Sequence, residues 1–160
     1  MQKMRNLTQE QSRLDQRAWL GVTSISGKPE GGKKFILQIN FKNTGKTPAT
    51  NMIVRSAVTF STPIWKGPDF NTIKNIKKEG RGLVFPQAEA LSVVDVLPAA
   101  PVDPSTIELL NEHKIRIHVF GFAEYDDIFN RHHCTRFCNI YKPEDGYYHA
   151  CKDYNDTTCP

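Results

Sequence analysis

The sequence predicts a mainly β protein, an antiparallel immunoglobulin-like β-sandwich with an N-terminal helix and a disulfide-stapled C-terminal hairpin. Roughly seven or eight short segments alternate apolar and polar residues with a period of two. Turn-forming residues separate these segments, and little of the chain has a helical period. The length of 160 residues suits one domain of this class.

The first 16 residues are polar, and we expect them to form a helical stalk or juxtamembrane segment ahead of a sandwich domain at 17–160. Thr8 stands three residues before Gln11, a spacing typical of a helix-capping box. The apolar stripe is thin, so this helix should depend on a partner surface for its stability. The residues at helical spacing are Met4, Leu7, Gln11 and Leu14.

Alternating side chains mark the strands. The segment 33–45 is the clearest, because its apolar residues share one face of the pleat. Turn-forming residues at 43–49 end it, and 50–61 alternates again, which predicts two half-buried antiparallel strands. Trp19 is expected to anchor the first strand in the core. The predicted strands are 17–24, 33–45, 50–61, 83–85, 90–97, 114–125, 132–141 and 146–154.

Two connections should contain short helices. Residues 62–82 form a long basic loop, with a short helix expected around Ile73 and Ile76. A later loop is rich in proline, which lacks the N–H that a central strand needs. The segment 104–113 follows it and predicts a short helix capped by Ser105.

The segment 114–125 has the pattern of a central strand. Ile117 and Val119 point to one face, and Phe120 and Phe122 point to the other. Both faces of this strand are therefore expected to be buried.

The formal net charge of +4 is unevenly distributed. Residues 27–82 hold eleven Lys and Arg against three acids, giving +8, whereas 83–112 hold five acids and no base. This asymmetry predicts one basic face and an acidic strip, and it argues against a nucleic-acid binder. No apolar run approaches the roughly 18 residues of a spanning helix, so any anchor is expected upstream.

All four cysteines lie in the last 27 residues, which favours a disulfide framework formed in an oxidising compartment. An extended strand separates Cys134 from Cys138 by about 13 Å, beyond the roughly 7 Å that a disulfide tolerates. Folding the chain at the Pro-Glu-Asp-Gly turn places Cys138 opposite Cys151. The predicted bonds are Cys138–Cys151 and, by elimination, Cys134–Cys159.

Zinc binding is the alternative to disulfide formation in the same segment. Structural zinc sites usually pair their ligands as C-x2-C or H-x3-H, and here three residues separate Cys134 from Cys138. Strand alternation also places His132 and His133 on opposite faces. We therefore favour disulfides and expect no cofactor. The zinc alternative would use His132, His133, Cys134, Cys138 and Cys151.

Catalytic signatures are absent from the sequence. It contains no nucleophile elbow, zinc-protease helix, phosphate-binding loop or dinucleotide fingerprint, so we do not expect an enzyme. Glu124, Asp126 and Asp127 could form a calcium or acid–base cluster, but alternation places Asp127 opposite the other two. We favour a strand end in which Asp127 accepts backbone N–H groups before Phe129.

The basic segment 65–81 is the candidate binding surface. Its mixture of cations and apolar side chains suits anionic headgroups or an acidic protein. We favour the simpler alternative, a solvated basic loop that packs its few apolar residues onto the sandwich. The candidate residues are Trp65, Lys66, Lys74, Lys77, Lys78 and Arg81.

Three motifs follow one another along residues 17–155. They are Arg17-Ala18-Trp19, then Asn43-Thr44-Gly45-Lys46-Thr47-Pro48-Ala49, then Tyr125, Asp127, Phe129, His133, Thr135, Phe137 and Cys138. This order resembles a widespread group of uncharacterised bacterial envelope proteins, in which one or two membrane helices precede a β-sandwich domain. The group's motifs are Arg-Pro-Trp, Asn-Thr-Gly-x-x-Pro-Ala, and Tyr-x-Asp-x-Phe-Gly followed by His-x-Thr-x-Phe-Cys.

Two positions depart from the group. Ala18 replaces its proline, and Asn130 replaces the glycine after Phe129. Asparagine is the residue other than glycine best able to adopt positive φ, so the turn should persist. The resemblance implies a domain at the periplasmic face of the bacterial inner membrane, anchored by an upstream helix.

Together these expectations describe a non-enzymatic extracytoplasmic domain that acts through surface contacts. The expected partner is an unknown protein or an anionic membrane surface, and not a nucleic acid. One alternative is the zinc-binding protein described above. The other is a carbohydrate-binding or adhesion sandwich that uses Tyr147, Tyr148 and Trp65.

Overall fold

The computed structural model describes residues 2–76, 82–96 and 100–160, and it confirms a mainly β fold. The elements are α1 Gln2–Gln16, β1 Leu20–Ser26, β2 Ile36–Asn43, β3 Ala49–Ser61, α2 Phe70–Lys74, β4 Gly82–Val84, β5 Glu89–Asp95, α3 Pro104–Asn111, β6 Arg116–Asp126, β7 His132–Lys142 and β8 Tyr147–Ala150. One antiparallel sheet has the order β1-β2-β5, and the other has the order β4-β3-β6-β7-β8. The two disulfides lie near the C-terminus, as predicted.

The main core lies between the two sheets. Leu37 and Phe41 of β2 are fully buried, and so are Ile117 and Val119 of β6. The ring of Phe41 meets the ring of Phe137 edge-on, with centroids 5.7 Å apart. Burying a side chain of this size contributes roughly 1.5–3 kcal/mol, so the predicted alternation supplies the main driving force for the sandwich.

The strands β2 and β3 are consecutive but lie in opposite sheets. β2 pairs with β1 and β5, whereas β3 pairs with β4 and β6. The turn 44–48, which includes Pro48, therefore crosses from one sheet to the other. A Cβ atom at Gly45 would stand 2.3 Å from the carbonyl oxygen of Arg17, so only glycine fits this crossing.

The outer face of the five-stranded sheet is also buried. Phe120 and Phe122 of β6 point away from the main core, as predicted, and pack against Phe70 and Ile73 of the α2 segment. Cys138 completes this second apolar cluster. The side chains on both faces of β6 are therefore buried, which confirms its central position in the sheet.

Trp19 is not the predicted core anchor. Its side chain is 39% exposed, whereas Ala18 and Leu20 on either side of it are buried. The guanidinium carbon of Arg17 lies 3.4 Å from the centroid of the Trp19 ring. The prediction was wrong because neighbouring residues of an extended chain point to opposite faces, and the smaller side chains face the core here.

Two predicted helix caps differ in the structure. The N-cap of α3 is Asp103, whose carboxylate accepts a hydrogen bond of 2.8 Å from the backbone N–H of Ser105. Asp103 therefore replaces Ser105 as the cap, and Pro104 occupies the first turn, which it suits because it lacks an N–H. Thr8 lies within α1, and its hydroxyl donates to the carbonyl oxygen of Met4 rather than capping the helix.

The helix α1 contacts the loop between β6 and β7. The guanidinium of Arg131 donates to both carboxylate oxygens of Glu10, at 2.5 and 2.9 Å, and Arg13 lies 5.8 Å from the Phe129 ring centroid. Met4 and the other apolar residues of the stripe remain exposed. In the part of the chain that the structure describes, no helix has both the length and the apolar character for crossing a membrane.

Candidate functional site

The cysteines form the two predicted disulfides. Cys138 bonds to Cys151, with Cα atoms 5.3 Å apart, and Cys134 bonds to Cys159, with Cα atoms 5.1 Å apart. Both bonds connect β7 with the tail after β8. Two disulfides indicate an oxidising, extracytoplasmic environment.

Polar contacts hold the same tail on the outer face of the five-stranded sheet. The Asn155 amide accepts from the backbone N–H of Cys138 at 3.0 Å and donates to its carbonyl oxygen at 3.2 Å. The guanidinium of Arg136 donates to the Asp156 carboxylate at 2.8 and 2.5 Å. This guanidinium lowers the pKa of Asp156 to about 2. The tail is therefore fixed by hydrogen bonds as well as by sulfur.

Asn43 connects three segments through one buried amide. Its Nδ2 donates to the carbonyl oxygens of Thr47 at 2.8 Å and Val84 at 3.0 Å. Its Oδ1 accepts from the backbone N–H groups of Gly45 at 3.0 Å and Trp19 at 3.1 Å. All four hydrogen-bonding positions of the amide are satisfied, so the Asn-Thr-Gly motif has a structural role here.

Asp127 organises the loop after β6, as predicted. Its carboxylate is buried and accepts from the backbone N–H groups of Phe129 at 2.8 Å and Arg131 at 3.0 Å. His133 Nε2 lies 2.8 Å from the other carboxylate oxygen. Burial raises the pKa of Asp127, but these hydrogen bonds outweigh burial and hold the pKa below its usual value. Asn130 adopts a φ of 58°, which confirms the predicted turn.

Tyr125 and Thr135 tie the start of β1 to the larger sheet. The Thr135 hydroxyl donates to the carbonyl oxygen of Leu20 at 2.6 Å. The Tyr125 hydroxyl lies 3.4 Å from the backbone N–H of Leu20 and 3.5 Å from the carbonyl oxygen of Ala18. These residues of the last motif therefore close one end of the sandwich.

The three acids near the end of β6 point to two different sides of the strand, as predicted. Glu124 pairs with Arg55, and its second oxygen lies 3.6 Å from His132 Nε2. Asp126 contacts the other nitrogen of the same imidazole at 3.1 Å. Asp127 turns to the opposite side, so the three carboxylates do not form one cluster.

The structure does not gather the ligands of the zinc alternative. His133 is turned toward Asp127, and the sulfurs of Cys138 and Cys151 are bonded to each other within the second apolar cluster. Within the described residues, the group close enough to hold a metal ion consists of His132, Cys134 and Cys159, whose donor atoms lie within 4.8 Å of one another. The five-residue set of His132, His133, Cys134, Cys138 and Cys151 is therefore corrected, because oxidation and strand alternation separate its members.

Most apolar side chains of the basic segment pack onto the sandwich, whereas Ile76 is exposed. Phe70 and Ile73 are buried in the second cluster, and Trp65 stacks on the His118 ring with centroids 3.9 Å apart. Burial lowers the pKa of His118 to about 4, with a smaller contribution from the charge of Arg116, so the imidazole is neutral at pH 7. This packing confirms the favoured structural interpretation for the apolar half of the segment.

The cations of the basic segment are less uniform. Lys66 is exposed, and Lys74 donates to the carbonyl oxygen of Pro160 at 2.9 Å. Lys77, Lys78 and Arg81 lie outside the described residues.

A groove of about 360 Å³ lies where the start of the basic segment meets the tail. Trp65 and Lys66 line one wall, His118 lies at the groove, and Lys152 and Tyr154 come from the tail. Disulfide Cys138–Cys151 fixes the tail wall, because Cys151 also lines the groove.

One larger concavity lies beside this groove. A groove of about 520 Å³ between α3 and the β7–β8 turn shares Ile140 with the first one, whereas the cavity near α1, beside His132, has about 120 Å³. His118 and Asp126 lie eight residues apart on β6, which corresponds to about 26 Å at 3.3 Å per residue. The groove thus lies at the end of the sandwich opposite α1.

The aromatic residues of the carbohydrate alternative have different environments. Tyr147 is exposed, but the Tyr148 hydroxyl donates to the carbonyl oxygen of Gly27 at 3.0 Å. One face of Trp65 is covered by His118. Of the three rings, two are thus engaged in internal packing.

Three residues that shape these sites were missed in the sequence: His118, Lys152 and Asp156. The polar run after Cys151 was a usable signal, because short acceptor side chains beside a disulfide often bond to the backbone. No family model matches this chain, and neither does any curated protein or solved structure with which it was compared.

Proposed function

We propose that this chain is the extracytoplasmic domain of a membrane-anchored bacterial envelope protein and that it acts by binding rather than by catalysis. The oxidising environment indicated by the disulfides supports this setting. The order of the Trp19, Asn43 and Tyr125 motifs supports the periplasmic face of the inner membrane, through the resemblance described above. The polar helix α1 is suited to a stalk between an upstream anchor and the sandwich.

The observation that supports this proposal best is the groove between Trp65 and the tail. It combines Lys66, which belongs to the predicted binding surface, with Lys152 from the disulfide-bonded tail. Among the described residues neither amine has a carboxylate partner, and Asp153 is the acid that lines the groove beside them. Two unpaired amines on a rigid frame attract an anionic ligand.

The position of the groove distinguishes two sources of negative charge. An anchor ahead of α1 would hold the α1 end of the sandwich toward the membrane, because Arg131 fixes α1 there. The groove includes His118, which lies eight residues, or about 26 Å of strand, from Asp126 at the α1 end. We therefore propose an acidic segment of a partner protein as the ligand, rather than the headgroups of the anchoring membrane.

A binding titration of the whole chain tests this function. A fluorescent polyglutamate peptide should bind at low ionic strength, and its affinity should fall steeply with added salt. The double variant Lys66→Glu and Lys152→Glu should lose at least about tenfold in affinity, as expected for like-charge repulsion at the groove. Phosphatidylglycerol vesicles serve as the membrane probe.

The matched control is the double variant Lys34→Glu and Lys46→Glu, which changes the net charge equally at exposed sites away from the groove. It should keep most of the affinity. Equal losses of affinity in both double variants would show that binding depends only on the net charge of the protein. That result would contradict a binding site in the groove. Tighter binding to vesicles than to the peptide would reject the acidic protein in favour of a membrane surface.

A further inference from the structure

We propose that Cys134–Cys159 is a reducible bond that covers a latent zinc site, with His132 as the third protein ligand. This site lies toward the α1 end of the sandwich, shares no lining residue with the groove, and does not depend on the function proposed for that groove. Reduction by a dithiol would convert the staple into a Cys₂His set.

The two disulfides differ in accessibility. Cys159 is exposed and borders the small cavity that Arg17 and Thr157 also line. Each bond has one buried cysteine, Cys134 or Cys138, so the difference lies in their partners. Cys151 is only partly exposed and packs against the second apolar cluster. Thiol–disulfide exchange needs a thiolate to reach a sulfur atom. A dithiol therefore attacks Cys134–Cys159, the outer bond, first.

The reduction is balanced by the dithiol. Its two S–H bonds break and its own S–S bond forms, while the Cys134–Cys159 bond breaks and takes up two electrons and two protons. Zinc binding then releases one proton from each cysteine thiol to solvent, because zinc binds thiolates. The imidazole of His132 contributes the lone pair of Nε2.

The geometry of His132 suits a ligand. Its Nδ1 lies 3.1 Å from an Asp126 carboxylate oxygen, and its Nε2 lies 3.9 Å from Cys134 Sγ. A carboxylate at Nδ1 favours the tautomer with a free lone pair at Nε2, as in carboxylate–histidine–zinc arrangements. Donors on a tetrahedral zinc stand about 3.6–3.8 Å apart. The three donor atoms already lie within 4.8 Å, so small side-chain rotations suffice.

The fourth position has a nearby oxygen. Glu124 Oε1 lies 3.6 Å from His132 Nε2. Either this carboxylate or a water molecule completes four-coordination, and both are common at zinc.

The tail stays in place when the outer bond breaks. Disulfide Cys138–Cys151 holds it from one side, and Asn155 and Asp156 hold it three to four residues before Cys159. The freed Cys159 sulfur therefore remains near Cys134. Because both thiols stay close together after reduction, they can bind one zinc ion.

The test uses stepwise reduction of the whole chain with dithiothreitol under native conditions. We expect a state with two thiols per chain, located at Cys134 and Cys159 by alkylation and peptide mass analysis. This state should retain one zinc per chain after dialysis, and the oxidised protein should retain none. Cobalt substitution should give the absorption bands of thiolate ligation.

Variants separate a ligand from a bystander. His132→Gln should weaken zinc binding at least about tenfold, and Asp126→Asn should weaken it roughly 10–100-fold. His149→Gln, on β8, is the matched control and should bind zinc like the wild type. The proposal fails if the two-thiol state retains no zinc, if His132→Gln binds as tightly as the wild type, or if both disulfides open together as the fold is lost.

Discussion

The side-chain amide of Asn43 donates a hydrogen bond of 3.0 Å to the carbonyl oxygen of Val84, and thereby joins a strand of one sheet to a strand of the other. The same amide bonds to the turn that crosses between the sheets and to the backbone before β1. One buried polar group thus fixes the relative position of three chain segments. Such a fully satisfied group specifies a unique packing in a way that apolar contacts alone do not.

We expect Asn43→Ala to lower the free energy of unfolding by about 3 kcal/mol or more, because it leaves buried N–H and C=O groups without partners. Urea denaturation measures this change. Asn40→Ala is the control, since Asn40 of the same strand bonds through its side chain to exposed Ser24. It should cost less than about 1 kcal/mol. Equal costs at the two positions would contradict the junction assigned to Asn43.

The two disulfides should differ in what their loss does to the tail. In the chain-entropy model, removal of Cys138–Cys151 costs about 3 kcal/mol and removal of Cys134–Cys159 about 3.5 kcal/mol. The paired alanine variant at Cys138 and Cys151 should also change the fluorescence of Trp65, because both border the second apolar cluster. Because Trp19 lines the cavity beside Cys134 and Cys159, both pairs are measured in a Trp19→Phe background. There the pair at Cys134 and Cys159 should leave the Trp65 signal unchanged. A change of Trp65 fluorescence in the Cys134 and Cys159 variant alone would contradict the placement of Cys138–Cys151 beside Trp65.

His118 should titrate well below a normal histidine. Its burial under Trp65 lowers its pKa to about 4 from 6.5, so the neutral ring stabilises the fold above pH 6.5. This contribution is lost as the pH falls from 6.5 toward 4, because the unfolded chain takes up the proton first. NMR titration should find the low pKa, and Trp65→Ala should raise it by admitting water. A wild-type His118 pKa near 6.5 would contradict the burial of His118 under Trp65.

The Arg136–Asp156 pair should make tail docking sensitive to acid. The pKa of Asp156 falls from 3.8 to about 2 in the folded protein, so its contribution to stability is present above pH 3.8. It is lost as the pH falls through 3.8 toward 2. Asp156→Asn should therefore flatten the decline in thermal midpoint across this window. Asp153→Asn, an exposed neighbour, is the control and should follow the wild-type curve.

The β pattern was readable because a half-buried strand must alternate. Phe41 and its neighbours on β2, and both faces of β6, were predicted correctly on this basis. The disulfide partners also followed from the sequence, since strand rise and hairpin symmetry left Cys138 opposite Cys151. Local geometry of this kind needs no knowledge of distant segments.

The errors arose where distant segments decide the outcome. Trp19 has the size of a core residue, but Ala18 and Leu20 on either side of it face the core, so its side chain points outward. Likewise, Lys66 and Lys152 line the same groove although 86 positions of the sequence separate them, which spacing along the chain does not reveal. The crossing between β2 and β3 was not predicted either, because a turn signal does not say whether the chain stays in one sheet.

The central claim is that oxidised sulfur locks the tail onto the sandwich outside the cytosol. Thiol counting and disulfide mapping of the native protein, with and without reductant, test it most directly. We predict no free thiol before reduction, four thiols after full reduction and unfolding, and cross-linked peptides that join Cys138 with Cys151 and Cys134 with Cys159. Four thiols in the unreduced protein, or a Cys134–Cys138 peptide, would contradict the account.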